Sequence, residues 1–215
     1  MKTALITGAS RGIGRAIAEE LGKDHHILVG ASKDASEVVD KLPSAEPFEV
    51  DLRDTDAIVA AARRVENVDI VVHAAGVLHK APFGELDDEQ WRETMDINVL
   101  APVTLTRELL PALRRSRGLV ITINSGAGFH GVEENTAYCA SKFALRGFTD
   151  ALRLEEKGQV RVTSIHPGRT DTDMLAGPKH GDRPKMDPVN VARAVRLAVD
   201  AGPDAVVEFL RVAPA

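Results

Sequence analysis

Thr7-Gly8-Ala9-Ser10-Arg11-Gly12-Ile13-Gly14 follows a short apolar run, 3–7, and opens directly into the helix-forming stretch GRAIAEELGK. Glycines at 8, 12 and 14 let the backbone turn sharply, approach a pyrophosphate closely and pack a helix onto the strand, while the helix N-terminus offers free N–H groups and the positive end of its dipole. Strand, glycine turn and helix in that order predict a phosphate cradle, with a dinucleotide as its natural occupant.

Working outward from this loop, the same alternation runs to the end of the chain. Apolar runs at 26–31, 47–50, 70–73, 119–124, 160–166 and 205–211 are separated by helix-length segments near 12–22, 35–41, 54–65, 88–113, 137–156 and 188–200. Seven strands and six helices predict a three-layer α/β fold, a Rossmann-type doubly wound parallel sheet in a single domain over 1–215. Ile70-Val71-Val72 and Leu119-Val120-Ile121 are continuous rather than alternating apolar runs, as strands covered on both faces require. The longest helical stretch contains Pro102, where a break is expected, and Pro111, expected close to the helix end. A Gly/Pro-rich polar stretch inside 173–187 reads as a short loop over the C-terminal edge of the sheet, placed to cover a substrate.

Composition narrows the function. The chain has 215 residues, 27 Lys plus Arg against 32 Asp plus Glu, and a net charge of -5, so no nucleic acid or anionic membrane is expected as partner. One cysteine, Cys139, excludes an internal disulfide, and no run is long and apolar enough to span a bilayer, which together predict a cytoplasmic protein. The histidines show no metal-ligand spacing, and no metal is expected. His166 is expected to pack rather than to react, and the Arg114-Arg115-Ser116-Arg117 cluster to complement a helix C-terminus.

The spacing Gly-x3-Gly-x-Gly departs from the commoner Gly-x-Gly-x-x-Gly, and TGASRGIG resembles the TGxxxGxG signature of the short-chain dehydrogenase/reductase family. Other matches follow in the family's order. Asp51-Leu52 stands where the family has the Asp that contacts adenine. His73-Ala74-Ala75-Gly76 resembles the NNAG element, with His as a departure at its first position. Asn98, Ser125, Tyr138 and Lys142 match the catalytic tetrad, and Pro167-Gly168 with Thr170 and Thr172 resembles the PGxxxT turn. The resemblance implies an oxidoreductase moving a hydride between a nicotinamide cofactor and a carbonyl or alcohol carbon of a small organic substrate. It further implies that Ser125 holds the oxygen, Tyr138 is the general acid/base, Lys142 holds the ribose hydroxyls and lowers the Tyr138 pKa, and Asn98 positions a relay water. The cofactor set is then Thr7, Gly8, Ser10, Arg11, Gly12, Ile13, Gly14, Ser32, Lys33, Asp51, Leu52, Ala74, Ala75, Gly76, Pro167, Gly168, Thr170 and Thr172, with Tyr138 and Lys142.

The residues also speak for themselves. Tyr138 and Lys142 are one helical turn apart on one face, where an ammonium favours the phenolate of a group whose pKa is ordinarily near ~10. Taken singly, the chain's one tyrosine fits a packing role, a lysine one turn on fits a solvated face, and Ser125 fits a turn. The second strand ends in Gly30-Ala31-Ser32-Lys33 with no carboxylate for a ribose 2'-hydroxyl, and Asp34 is placed to cap the next helix. Ser32, Lys33 and Arg11 therefore predict NADP(H) in preference to NAD(H). A homodimer or homotetramer through the segments 88–113 and 137–156 is expected from the resemblance. The rival reading is a non-catalytic nucleotide-sensing or interaction protein on the same fold. A sugar-nucleotide epimerase would share Tyr-x3-Lys, but too little chain follows Pro167 for its usual substrate domain.

Overall fold

The computed structural model describes residues 1–176, 183–202 and 204–215. Its seven strands, β1 (Thr3–Thr7), β2 (His26–Ala31), β3 (Ala45–Glu49), β4 (Ile70–His73), β5 (Leu119–Ile123), β6 (Arg161–Pro167) and β7 (Phe209–Val212), form one sheet in the order β3-β2-β1-β4-β5-β6-β7. Every neighbouring pair is parallel, so each connection must cross a face. The helices that do so are α1 (Gly12–Leu21), α2 (Ser36–Val39), α3 (Thr55–Ala62), α4 (Asp88–Met95), α5 (Ala101–Ser116), α6 (Thr136–Glu155) and α7 (Pro188–Val199). The expected three-layer, doubly wound architecture is what the chain adopts.

The period of two along the central strands divides the core in two. Ile6, Val29, Val72 and Ile121 face α1 and α7, while Leu5, Leu28, Val71 and Val120 face Ile58 of α3 and Leu105, Leu109 and Leu113 of α5. Strand order reverses between β1 and β4, which pair Thr7 with His73 at their C-terminal ends. That switch point is where an open α/β sheet leaves a crevice for ligand.

Two elements depart from expectation and one meets it. The long helical segment breaks near Pro102, as expected, at the π-helical turn Asp96–Leu100 just before it. A proline lacks an N–H and crowds the carbonyl four residues back, so the distortion falls in the preceding turn, and the Asn98 carbonyl loses its α-helical donor. Pro111, expected near a helix end, sits inside α5, which runs on to Ser116. Burial of Leu109, Ala112 and Leu113 against the sheet outweighs the one hydrogen bond it forfeits. Finally, β7 is shorter than expected at four residues and half exposed, an edge strand with little to bury.

Candidate active site

The glycine loop has the shape its composition demands. Gly8 and Gly12 take φ values of 66° and 55°, left-handed backbone that costs other residues energy. A Cβ on Gly8 would lie 2.7 Å from the Cα of Ala75, and one on Gly14 would overlap the Gly8 carbonyl oxygen. Thr7 ties the two loops together: its Oγ1 accepts from the backbone N–H of Ala74 at 3.1 Å and of Ala75 at 3.2 Å. The loop after β1 is thereby locked against the loop after β4.

Between them lies a cleft of about 540 Å³, within the usual range for small-molecule sites. Its walls include Thr7, Gly8, Ser10, Arg11, Gly12, Ile13, Gly14, Ser32, Asp51, Leu52, Ala74, Ala75, Gly76 and Thr172, so most of the expected cofactor set converges there. Arg11 stands at the rim, 77% exposed, with Nη1 3.5 Å from Asp173 Oδ2. Six expected members do not line the cleft: Tyr138 and Lys142, from among the candidate reacting residues, and four others. Lys33 is exposed outside it, and Pro167 and Gly168 are packed along β7, with the Gly168 N–H donating to the Val212 carbonyl at 2.6 Å. Thr170 is buried and turns its hydroxyl to the Gly168 carbonyl at 3.1 Å, a bond that shapes the turn. Asp34, expected at the N-cap of the next helix, lies one residue before it, where Ala35 stands, and accepts from the Ser36 N–H at 2.8 Å. The loop proposed over 173–187 falls partly outside the described residues, at 177–182.

The sequence reading missed part of the wall. Arg53, His79, Glu93 and Ile97 line the cleft, and Arg53 grips Asp51 with two bonds, Nε to Oδ1 at 3.0 Å and Nη2 to Oδ2 at 2.7 Å. The guanidinium holds the Asp51 carboxyl below its usual range. His79 Nε2 lies 2.8 Å from Glu93 Oε2, which joins the loop after β4 to α4. An arginine two residues past Asp51 was the available signal for the first of these contacts; the second needs the tertiary fold. His73, the departure in the NNAG-like element, is buried with Nε2 2.8 Å from Thr106 Oγ1, and burial pushes it down to about 4, leaving it neutral.

Beyond the cleft wall at Gly76 stand two of the four candidate reacting residues, Asn98 and Lys142, with Tyr138 beside Lys142 and Ser125 near Tyr138. A Cβ on Gly76 would lie 3.3 Å from Asn98 Oδ1 and 3.9 Å from Lys142 Nζ. Asn98, carried on the π-helical turn, clamps the loop after β4: its Oδ1 accepts from the Val77 N–H at 2.9 Å and its Nδ2 donates to the Val77 carbonyl at 3.0 Å. The same amide donates to Ser141 Oγ on α6 at 3.0 Å. Ser125 stands two residues beyond β5, with its hydroxyl accepting from the Ala127 N–H at 3.1 Å and near enough to the Tyr138 phenol to act on its pKa. Lys142 is buried, with Nζ donating to the Ile123 carbonyl at 3.0 Å and lying 5.5 Å from the centre of the Tyr138 ring.

The electrostatics run against one expectation. Burial pushes the Tyr138 phenol up to about 12, opposed by the Ser125 hydrogen bond, and the lysine does not bring it below its ordinary value. Burial also pushes the Lys142 ammonium down to about 8. An ammonium has three donors, and among the described residues Lys142 uses one, on Ile123. The others remain for a polyhydroxyl ligand beside Gly76. With the glycine cradle, these donors fit the ribose and pyrophosphate of a nicotinamide dinucleotide.

Fold, cleft and reacting residues define a dinucleotide-dependent enzyme class, and the comparisons with known proteins agree. The family model described as short chain dehydrogenase matches residues 2–182, and the chain belongs to that family of oxidoreductases. It is 32% identical over 212 residues to an uncharacterized oxidoreductase of Staphylococcus saprophyticus, covering 92% of this chain and 91% of that one. An alcohol dehydrogenase of the archaeon Thermococcus sibiricus, solved with 5-hydroxy-NADP, superposes with a TM-score of 0.88 at 27% identity, over 99% of this chain and 96% of that chain. A metagenomic short-chain oxidoreductase solved with NADP gives 0.86 at 30% identity, over 100% and 97%. Among the described residues no helix is long and apolar enough to cross a membrane.

Proposed function

We propose that the protein is an NADP(H)-dependent carbonyl reductase or alcohol dehydrogenase of small organic substrates, with Tyr138 as general acid/base. The observation that carries the reading is the buried Lys142 ammonium, with donors to spare, between the Tyr138 ring and the Gly76 end of a glycine-lined cleft. A burial cost of that kind is unusual for a lysine that only packs. Bound in the cleft, the cofactor supplies or accepts the hydride. Ser125 donates its hydroxyl to the substrate oxygen, Tyr138 delivers the proton to it, and Lys142 holds the ribose hydroxyls. The Asn98 carbonyl, deprived of its helical donor by Pro102, is available to hold a water that passes protons towards Lys142. Of the segment 173–187, Asp173 and Met174 line the cleft among the described residues. A panel of aldehydes and ketones with NADPH, followed by loss of absorbance of the reduced nicotinamide, tests the reaction; tight cofactor binding without turnover of any of them would favour the nucleotide-sensing alternative.

Preference for NADP(H) draws support from Ser32 and Arg11 on the cleft wall, from Asp34 being spent on Ser36, and from the relatives solved with NADP and 5-hydroxy-NADP. The unmodified protein is expected to bind NADPH more tightly than NADH. Arg11→Ala should weaken NADPH about tenfold, the size of one charge-assisted hydrogen bond, and leave NADH nearly unchanged. Equal dissociation constants for the two cofactors would overturn the assignment. Assembly into a homodimer or homotetramer is supported by Phe143 and Leu154, exposed apolar residues on α6. Light scattering at micromolar concentration should give a particle of at least twice 23.1 kDa, and a 23.1 kDa particle refutes it.

A further inference from the structure

Ser125 is held by its own turn on nearly every side. Its N–H donates to Asn124 Oδ1 at 2.9 Å, its Oγ accepts from the Ala127 N–H at 3.1 Å, and its carbonyl accepts from the Gly128 N–H at 3.1 Å. These bonds hold Ser125 to its turn, which meets the sheet one residue earlier, where the Asn124 N–H donates to the Ile165 carbonyl of β6 at 2.7 Å. Among the described residues one bond to the Ser125 backbone comes from another strand. It is His166 of β6, whose Nδ1 lies 3.1 Å from the Ser125 carbonyl oxygen.

The imidazole is fixed from behind. His166 Nε2 lies 2.7 Å from Ser164 Oγ, two residues earlier on the same face of β6. A carbonyl can only accept, so Nδ1 must carry the proton; in the neutral ring Nε2 then accepts, and the Ser164 hydroxyl donates to it. Behind Ser164 lies Thr122 Oγ1 at 3.4 Å, itself 3.0 Å from Thr149 Oγ1, whose proton goes to the Leu145 carbonyl at 2.7 Å. The ring packs against Phe129, with centroids 4.5 Å apart, and Phe209, at 4.6 Å, two rings that also meet each other edge to face at 5.4 Å. Burial, with Arg146 and Lys142 nearby, pushes the imidazole down to about 4 against the opposing pull of Asp150 and the Ser125 carbonyl, so the donor–acceptor order persists at neutral pH.

We infer that His166 is a positioning residue for Ser125: it ties the serine's carbonyl to β6 and so fixes where the Ser125 hydroxyl meets the Tyr138 phenol. Packing against Phe129 and Phe209 calls only for a ring, whereas here both ring nitrogens make directional bonds, to the Ser125 carbonyl and to Ser164. The inference rests on the roles proposed above for Ser125 and Tyr138.

Tyr138 is the only tyrosine, so protein grown with tyrosine labelled with carbon-13 at Cζ gives one resonance that reports its hydroxyl's hydrogen bond. S125A should displace that resonance. H166F should displace it in the same direction, and H166N, which restores a donor near the Nδ1 position, should return it towards the unmodified value. In turnover, H166F should lower kcat on the order of tenfold with the NADPH dissociation constant unchanged, the effect of one misplaced hydrogen bond. Should H166F fail to fold, S164A, which removes the donor to Nε2, should move the resonance the same way. A resonance unmoved by H166F where S125A moves it, one unmoved by S125A itself, or an H166N protein as impaired as H166F, overturns the inference. Displacements as expected in a protein that turns over no carbonyl leave the positioning intact and defeat the proposed reaction instead.

Discussion

Tyr138→Phe lowers carbonyl reduction by ~10²–10⁴-fold while cofactor affinity and thermal stability stay near those of the unmodified protein, as removal of a general acid requires. The ring, its contact with Lys142 and its packing on α6 all survive the substitution; one hydroxyl is lost. Because burial holds the phenol at about 12, it is fully protonated at neutral pH and poised to donate. The reductive reaction should therefore keep its proton donor across pH 6 to 9, whereas alcohol oxidation, which needs the phenolate, should quicken as pH rises. Near-full activity in the phenylalanine variant on a substrate the unmodified protein reduces would remove Tyr138 from the mechanism.

Lys142→Met should abolish measurable turnover, and its effect on stability should depend on pH in a specific sense. The folded protein holds this ammonium at about 8 against an ordinary 10.5. Below pH 8 both folded and unfolded chains carry the proton, and the folded state bears the full burial cost. Between pH 8 and 10.5 the folded state has released a proton that the unfolded chain retains, so the unmodified protein gains stability as pH rises, by roughly 3 kcal/mol over the window. The methionine variant lacks this gain. Denaturant melts of both proteins at pH 7 and pH 10.5 should show their stability difference shifting by that amount in favour of the unmodified chain, and a difference independent of pH would refute a buried charged lysine. The lysine thus weakens the fold it serves, as expected of a group retained for chemistry rather than packing.

The sheet was legible because its central strands are continuous apolar runs and its glycine turn has few other uses. β1, β2 and β4 lie at the residues the pattern assigned to them. Edges were less so: β7 buries little and carries no periodic signal, and the π-helical turn arises from the clash of Pro102 with its own preceding turn, which periodicity averages away. Asn98, Ser125, Tyr138 and Lys142 were singled out by order and spacing, and in the fold Asn98 and Lys142 lie beside Gly76 of the cleft wall, with Tyr138 next to Lys142. What sequence could not supply was which charges cancel. Arg53 on Asp51 is a pair within one loop that its two-residue spacing could signal, but Glu93 of α4 on His79 joins separate elements, and the desolvation that raises Tyr138 depends on everything packed around it. Likewise the second nitrogen of His166 has meaning only once β5 lies beside β6.

The sheet places the first strand in its interior, third of seven and beside the central β4, and that position sets a timetable for the chain. β2 and β3 complete one wing on β1 from residues made early, yet the contact of Gly8 with Ala75 and the Thr7 bonds to Ala74 and Ala75 wait for β4 to dock on the other side. Bringing those ends together closes a loop of more than sixty residues, a slow, non-local step by the logic of contact order. The glycine turn, first to be synthesised, is therefore among the last parts to acquire its form. Nucleotide captured there would reward only chains whose two wings have already joined, so that ligand and completed sheet stabilise one another by mass action.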